Sequence, residues 1–209
     1  WETCTFSFIS PKYYDKVGMA EDDPRRRSVV IRNPLGEDTS VMRTTALPSM
    51  LGVLSTNLSR RNMEAKLYEM ATVYKKQPGK VLADERTVLT LGAYGGDVDF
   101  FALKGAVEAL LCAARTPDVR FTADTETAAF HPGRCAAVWS GDTRLGTLGQ
   151  IHPDVCAAYG LAQHTAPRST LCCCTILRVR SRSIRRCRAS RPSRATSPSC
   201  ATPPFPSAS

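Results

Sequence analysis

The clearest periodic pattern in the chain is helical. Five large apolar residues recur at intervals of three and four, which places them on one face of an α-helix. They are Leu47, Met50, Leu51, Leu54 and Leu58. Pro48 suits the first turn, where its missing N–H costs nothing, and Gly52 costs roughly 1 kcal/mol relative to alanine. We therefore expect a helix that is ended by Arg60, Arg61 and Asn62, and a close contact at Gly52.

Other stretches alternate apolar and polar residues with a period of two, which is typical of strands with one buried face. Near the start, Cys4, Phe6 and Phe8 alternate with threonine and serine and predict a buried apolar face. Residues 65–74 alternate in the same way and predict a long strand. Short apolar runs predict further strands at 29–31, 88–94, 119–122, 136–139 and 145–151.

Two further helices and a hairpin complete the expected elements. Asp99 is a suitable N-cap for a helix. Its buried stripe would comprise Leu103, Ala106, Val107, Leu110, Leu111 and Ala114. A short helix begins at Pro153 and ends before Gly160, a typical residue after a helix, and residues 140–143 form a hairpin turn. Strands outnumber helices, so we expect an α+β fold: an antiparallel or mixed sheet with the two principal helices packed on one face.

The composition limits the class of protein. Of 209 residues, 43% are apolar, which is enough for one domain with a sizeable core. The sequence has no charged-then-apolar leader and no run of about 18 apolar residues, so a cytoplasmic chain without a membrane partner is expected. Because the sequence starts at Trp1 without an initiator methionine and a strand is already predicted from Thr3 to Ile9, we expect the N-terminus to be cut from a longer protein.

Positive charge is concentrated at the C-terminal end. The formal net charge is +9. Residues 162–209, the tail, contain nine arginines and no lysine, aspartate or glutamate, whereas residues 1–161, the body, hold 19 basic and 19 acidic residues. The body is therefore neutral, and any prediction of nucleic-acid binding from charge rests on the tail alone.

Cysteines and histidines show no pattern typical of a metal site. The body cysteines are far apart, as expected for small buried residues in a reducing cytosol; they are Cys4, Cys112, Cys135 and Cys156. No histidine follows the tail cysteines at zinc-finger spacing; these are Cys172, Cys173, Cys174, Cys187 and Cys200. His131 and His152 each precede proline, so we expect extended or turn residues that bond to backbone. His164 is the third histidine.

Three other features allow a functional and a plainer interpretation. Asp97 and Asp99 could bind a cation, but a loop ending in an N-cap is favoured. Arg60 and Arg61 could contact RNA phosphates, although a solvated helix end is favoured. The apolar stripe of the helix over 47–58 is mainly core, and part of it could face another subunit.

Several stretches, taken in order, resemble one family. Residues 33–58, which begin Asn-Pro-Leu-Gly-Glu-Asp-Thr-Ser-Val-Met-Arg, resemble the β subunit of bacterial phenylalanine–tRNA ligase. Residues 67–74 resemble the strand that follows in that family, and residues 99–105 resemble its next helix start. Residues 130–134 and 146–153 resemble its closing hairpin. The shared order and spacing across the body make this resemblance specific.

The resemblance implies a fold and an assembly. The fold would be like that of a class II aminoacyl-tRNA synthetase, an antiparallel sheet flanked by helices. The enzyme would be an α2β2 heterotetramer that joins phenylalanine to tRNA(Phe) with ATP and Mg²⁺. In that family the active site lies in the α subunit, and this module of β packs against it. The editing domains and the magnesium-holding domain of β would lie before Trp1.

The resemblance further implies a module without chemistry of its own. Adenylation needs cations that neutralise the phosphates of ATP. Class II synthetases place one arginine just after the strand comparable to 67–74, where Lys75 and Lys76 stand here. A second belongs to a glycine-rich motif after the last strand, where this chain has His152 and Pro153. We expect no catalytic, cofactor-binding or metal-binding residue here; ATP–pyrophosphate exchange by the chain alone would contradict that.

The tail has three interpretations. It is disordered by composition, or it is a basic arm that binds RNA, or it is read in a shifted frame. Permitted codons for residues 186–199, read two nucleotides later, can give Pro-Leu-Pro-Arg-Phe-Pro-Ala-Val-Thr-Arg-Asp-Ile-Ala-Leu, which resembles the opening of the family's anticodon-binding domain. The same offset over 168–174 can give Leu-Tyr-Ala-Val-Leu-Leu, which resembles its linking strand. We favour the shifted frame, which the underlying DNA can test.

The main alternative function is an RNA-binding protein that acts through a basic C-terminal arm. Unchanged RNA affinity after deletion of that arm would reject it. For a ligase subunit, the partner-facing surface would be exposed in the isolated chain, so we expect a marginally stable or aggregation-prone protein.

Overall fold

The centre of the fold is a six-stranded antiparallel sheet. The computed structural model describes residues 1–96, 98–161 and 172–177, the last six as backbone only. The strand order is β3-β4-β8-β7-β6-β5, and every neighbouring pair is antiparallel. The strands are β3 Ala65–Lys75, β4 Asp84–Tyr94, β5 Val119–Ala123, β6 Phe130–Ser140, β7 Thr143–Ile151 and β8 Cys172–Leu177. A two-stranded sheet of β1, Phe8–Ile9, and β2, Val41–Met42, lies apart from it.

Two long helices flank this sheet, as an α+β fold requires. They are α2, Leu47–Ser59, and α3, Phe100–Ala113, and the shorter helices are α1, Lys12–Lys16, and α4, Pro153–Ala158. All five residues of the predicted stripe on α2 are buried. On α3, by contrast, the buried residues are Leu103, Val107 and Leu111. The predicted helices are therefore confirmed, with a narrower buried face on α3.

The two long helices pack on opposite faces of the sheet, so the prediction of a single covered face is wrong. A Cβ placed on Gly92 of β4 would lie 2.8 Å from side-chain atoms of both Met50 and Leu54 on α2. The neighbouring residues Leu91 and Ala93 pack instead against the hydrophobic cluster formed by α3. Successive side chains of a strand point to opposite faces, which assigns α2 and α3 to different sides.

The first eight residues run beside the sheet with the aromatic side chains of Trp1, Phe6 and Phe8 outward, whereas Ile9 is buried in the core. Trp1 and Thr3 exchange backbone hydrogen bonds with Tyr68 of β3, while the regular strand β1 covers only Phe8–Ile9. Phe6 is 79% exposed and Phe8 is 42% exposed, so the predicted buried apolar face is wrong. The polar side of the segment faces inward because the Thr5 hydroxyl hydrogen-bonds a buried carboxylate.

That carboxylate belongs to a buried ion pair. The guanidinium Nη2 of Arg43 lies 3.2 Å from Oε1 of Glu69, and both side chains are at most 3% exposed. Arg43 also donates to the backbone carbonyl of Thr72 and to the hydroxyl of Thr5. The pair thus joins the N-terminal segment, the residue after β2 and the strand β3.

Strand β8 occupies the centre of the sheet, between β4 and β7. Its six residues lie within 162–209, which the composition assigns to a disordered tail. β4 and β7 each offer a row of backbone N–H and C=O groups toward this gap, and Cys172–Leu177 pairs with both rows. Because buried backbone N–H and C=O groups need hydrogen-bond partners, these six residues form a strand even though their composition predicts disorder. The predictions for the rest of the tail, including His164, Cys187 and Cys200, lie outside the described residues.

No helix within the described ranges is long and apolar enough to cross a membrane.

Residues 29–31 form only an isolated bridge at Val30 to Val41, with flanking backbone hydrogen bonds, rather than the predicted strand. The 140–143 turn joins β6 and β7 as expected, and Gly141 takes a φ of 53° there.

Candidate functional site

A cavity of about 390 Å³ lies at one end of the sheet, on the α2 side. Loops 17–20, 23–25, 44–47 and 126–130 surround it, together with the ends of β3, β4 and β7. Five charged residues are among those that line it: Asp23, Arg25, Lys75, Glu126 and Arg144. The pairing of these charges decides which ligands the cavity could bind.

Two of the three cations at the cavity are paired with carboxylates of the same chain. The guanidinium of Arg25 lies 2.6 Å from Asp23 Oδ2, and this hydrogen bond holds the pKa of the Asp23 carboxyl below its usual range. Arg144 pairs with Asp124, which is only 5% exposed in its side chain. Each of these arginines therefore already has a carboxylate partner in the same chain.

Asp124 is fully used as a hydrogen-bond acceptor. Burial by itself would raise the pKa of its carboxyl, but hydrogen bonds from the backbone N–H of Glu126 and the hydroxyl of Thr127, with the charge of Arg144, hold the pKa below its usual range. The carboxylate therefore stays ionised and fixes the loop at 124–127. Its role in the described structure is to shape the cavity wall.

Lys75 and Lys76, at the position of an expected ATP-binding arginine, point to different environments. Lys75 is half-buried and lines the cavity. Lys76 is exposed and lines a separate groove beside the β3–β4 turn. Of this pair of lysines, only Lys75 lies at the cavity. Among the described lining residues, the other two cations are both paired with carboxylates.

His131 and His152 both bond to backbone, as expected. His131 Nδ1 accepts from the backbone N–H of Gly133 at 3.1 Å. His152 is the N-cap of α4, where its Nδ1 accepts from the N–H of Asp154 at 3.3 Å. Neither ring is coupled to a serine or cysteine in the described structure, which leaves no nucleophile–base pair for covalent catalysis there.

Asp99 and the arginines Arg60 and Arg61 lie where the simpler interpretations placed them, at an N-cap and at a solvated helix end. Asp99 is the N-cap of α3, and its carboxylate accepts from the N–H of Ala102 at 2.6 Å. Asp97 lies outside the described residues. Arg60 and Arg61 form the exposed end of α2, and Arg61 has a φ of 62°. Over the described residues, no group of three or more His, Cys, Asp or Glu could hold a metal ion.

A larger, open groove of about 700 Å³ follows the outer side of α2, and we call it the α2 groove. Its apolar walls include Phe6 and Phe8 from the N-terminal segment and Pro48 and Val53 from the helix. A Cβ placed on Gly52 would meet nothing within 4 Å. The close contact expected at Gly52 is thus not made by any part of the chain that the structure describes.

The body cysteines divide into two exposed and two shielded thiols. Cys4 and Cys112 are exposed. Burial raises the pKa of Cys135 to about 12, with a further contribution from the charge of Asp124, and burial raises the pKa of Cys156 to about 11. The expectation of four buried cysteines is therefore correct for Cys135, correct in part for the half-buried Cys156, and wrong for Cys4 and Cys112.

This division predicts selective alkylation. Because the thiolate is the reactive form, iodoacetamide at pH 8 should modify Cys135 and Cys156 more than about tenfold more slowly than Cys4 and Cys112. Peptide mapping by mass spectrometry measures each site separately from the tail cysteines. In guanidinium chloride all four should react alike, and equal labelling of Cys135 and Cys4 in the native chain would contradict the prediction.

The pairs Arg43–Glu69 and Asp124–Arg144 are absent from the sequence-based predictions. One signal was available: Glu69 lies on the apolar face of the 65–74 alternation, where a carboxylate needs a buried partner. For Asp124 and Arg144 the sequence has no comparable signal, since both lie in stretches where charged residues are ordinarily solvated.

Comparison with known proteins gives a consistent result. The family model described as the phenylalanyl tRNA synthetase beta chain CLM domain matches residues 1–167. A phenylalanine–tRNA ligase beta subunit from Clostridium acetobutylicum is 46% identical over 160 residues, which cover 76% of this chain and 20% of that protein. The protein of the same name from Clostridium tetani is 43% identical over 161 residues, covering 77% and 20%.

A more distant relative matches over a similar range. The phenylalanine–tRNA ligase beta subunit from Moorella thermoacetica is 38% identical over 169 residues, which cover 77% of this chain and 21% of that protein. The chain thus spans about a fifth of the length of the curated relatives it matches.

Proposed function

Since the chain belongs to the family of phenylalanine–tRNA ligase β subunits, we propose that it is a structural module of that ligase. The holoenzyme, an α2β2 heterotetramer, joins phenylalanine to tRNA(Phe) in the cytoplasm with ATP and Mg²⁺. This module has a class II synthetase-like fold, packs against the catalytic α subunit and performs no step of the reaction.

The α2 groove is the observation that carries the proposal. It combines exposed aromatic side chains, Phe6 and Phe8, with a helix face on which Gly52 leaves open space. Large exposed apolar patches mark interaction sites, and glycine on a helix lets another backbone approach closely. The groove therefore suits a helix of the α subunit.

The charges at the sheet cavity support an inactive module. Arg25 and Arg144 are engaged by Asp23 and Asp124, and the cavity holds no cluster of carboxylates for a magnesium ion among the described residues. These side chains do not fit a Mg–ATP site. ATP and Mg²⁺ are accordingly assigned to the holoenzyme outside this module.

Replacing Gly52 with alanine tests the groove. In the 209-residue chain by itself, Gly52→Ala should raise the free energy of unfolding by about 0.5–1 kcal/mol, because a helix-interior glycine is entropically costly. In the presence of the co-purified α subunit it should weaken association by about 5- to 150-fold, because overpacking a close helix contact costs roughly 1–3 kcal/mol. Urea unfolding and biolayer interferometry measure the two effects.

Gly105→Ala on α3 is the matched control. Gly105 is also in a helix interior, is exposed and has nothing within 4 Å of its Cβ position. This variant should stabilise the chain to a similar degree and leave its affinity for the α subunit unchanged. If Gly52→Ala and Gly105→Ala behave alike in the binding measurement, the α2 groove is not the interface.

A further inference from the structure

The turn between β3 and β4 presents aliphatic side chains to solvent. Val81 is 100% exposed and Leu82 is 80% exposed. Together with Val30, which is 72% exposed, they border a small groove of about 230 Å³ that we call the hairpin groove. Burying such side chains in an interface removes apolar area from water and so favours association, which makes this groove suited to a partner.

The charge of the hairpin groove has one sign. Lys76 and Lys80 line it, and none of its described lining residues is an aspartate or glutamate. Neither lysine forms an ion pair with a described carboxylate. A complementary surface would therefore place carboxylates beside apolar groups.

The dimensions and chemistry of the groove favour a polypeptide as its occupant. At about 230 Å³ it is smaller than the roughly 300–1,000 Å³ of pockets for small ligands. Its exposed apolar side chains are aliphatic, whereas nucleic-acid bases stack on aromatic side chains. An acidic protein segment satisfies both the lysines and the aliphatic residues.

One segment of the chain borders both grooves. Asp38 and Thr39 line the α2 groove, whereas Val30 lines the hairpin groove. Backbone hydrogen bonds hold these parts together, since the N–H of Ile31 donates to the carbonyl of Ser40. A partner bound in the α2 groove would therefore contact Asp38 and Thr39, in the same segment that carries Val30 of the hairpin groove.

We propose that the hairpin groove docks a segment of the α subunit that presents aliphatic side chains beside carboxylates. This inference rests on the proposed function, and it adds a second contact site and its chemistry. The α2 groove would supply close helix packing, and Lys76 and Lys80 would supply the charged rim that speeds association.

Site-specific photo-crosslinking tests the contact. In the chain co-expressed with the α subunit and mixed with tRNA(Phe), Leu82 is replaced by the photo-crosslinking amino acid benzoylphenylalanine. Irradiation should give one crosslinked species containing the α subunit, and mass spectrometry should place the crosslink beside aspartate or glutamate residues. A crosslink to tRNA, or none in an intact complex, overturns the inference.

Charge reversal gives an independent measurement. The double variant Lys76→Glu/Lys80→Glu should weaken binding of the α subunit by about tenfold at low ionic strength, and less as salt is added. The control Arg120→Glu/Arg134→Glu reverses two exposed charges on β5 and β6, at the other edge of the sheet. It should change the affinity less than about twofold.

The two hypotheses fail in distinguishable ways. One outcome separates the two hypotheses. The complex forms and depends on Gly52, but position 82 gives no crosslink to the α subunit and reversal of Lys76 and Lys80 leaves the affinity unchanged. The hairpin inference is then wrong and the proposed function stands. If the unmodified chain does not bind the α subunit at all, both are wrong.

Discussion

Replacing Arg43 with methionine should lower the free energy of unfolding by about 3–5 kcal/mol, because it leaves the carboxylate of Glu69 buried without its counter-charge. Glu69 is 2% exposed, and its Oε1 lies 3.2 Å from the guanidinium. Urea unfolding followed by circular dichroism measures the loss. Since small domains have only about 5–15 kcal/mol of stability, a large drop in soluble yield should accompany it.

The size of this effect follows from what the guanidinium joins. Arg43 donates to Glu69, to the carbonyl of Thr72 and to the hydroxyl of Thr5. Thr5 in turn donates its N–H and hydroxyl to Glu69. Loss of Arg43 therefore loosens the N-terminal segment that supplies Phe6 and the wall of the α2 groove.

Two further variants make this prediction specific. Lys104→Met removes a partly exposed i,i+4 pair with Glu108 on α3 and a contact with the Phe121 ring, and it should cost no more than about 1.5 kcal/mol. The double variant Arg43→Met/Glu69→Leu removes both charges and should be more stable than Arg43→Met alone. Equal losses for Arg43→Met and Lys104→Met would show that the buried pair contributes little.

Replacing Gly95 with alanine should cost roughly 2–5 kcal/mol. Gly95 has a φ of 82°, a conformation that L-residues rarely adopt. A Cβ there would lie 2.2 Å from the carbonyl oxygen of Met63, and a backbone atom cannot move aside as a side chain can. The close approach also lets the Tyr94 hydroxyl reach the carbonyl of Asn62 at 2.6 Å.

Gly79→Ala separates the strain of the backbone from the clash. Gly79 has a φ of 71°, but a Cβ there would meet nothing within 4 Å. Its replacement should therefore cost only the conformational strain, roughly 1–2 kcal/mol. Thermal unfolding of both variants gives the comparison, and a Gly95→Ala variant no less stable than Gly79→Ala would contradict the role of the Met63 contact.

Several of the most exposed apolar residues lie outside the helices and outside the strands of the central sheet. Phe6, Leu35, Val81 and Leu82 lie in the N-terminal segment and in loops, and each is at least 79% exposed. Such positions are not needed to fill the interior. Their chemistry is explained if another subunit covers them, which is the reason the two proposed contacts involve these segments.

Much of the secondary structure followed from the spacing of apolar residues. The stripe from Leu47 to Leu58 predicted α2, which ends at Ser59, just before the residues expected to end it. Asp99 and Gly160 predicted a helix start and a helix end. These predictions succeed because helix periodicity and capping depend on neighbours in the sequence. The resemblance of the body to one family was also evident from residues in order.

Periodicity shows that the two sides of a strand differ, but it does not show which side another element of the fold will cover. It groups Cys4, Phe6 and Phe8 on one side of a segment, but it cannot say that the hydroxyl of Thr5 is needed inside by Glu69 and Arg43. A face is buried only if another element covers it, and that depends on long-range packing.

The sequence by itself thus determined the helices α2, α3 and α4, the strands β3 to β7, the neutral body and the family to which the chain belongs. Only the tertiary structure decided that α2 and α3 cover opposite faces of the sheet, that Cys172–Leu177 fills the gap between β4 and β7, and that Asp124 neutralises Arg144 at the cavity. The physical reason is the range of the interactions: caps and periodicity act within a few residues, whereas strand pairing and buried ion pairs join residues far apart in the chain.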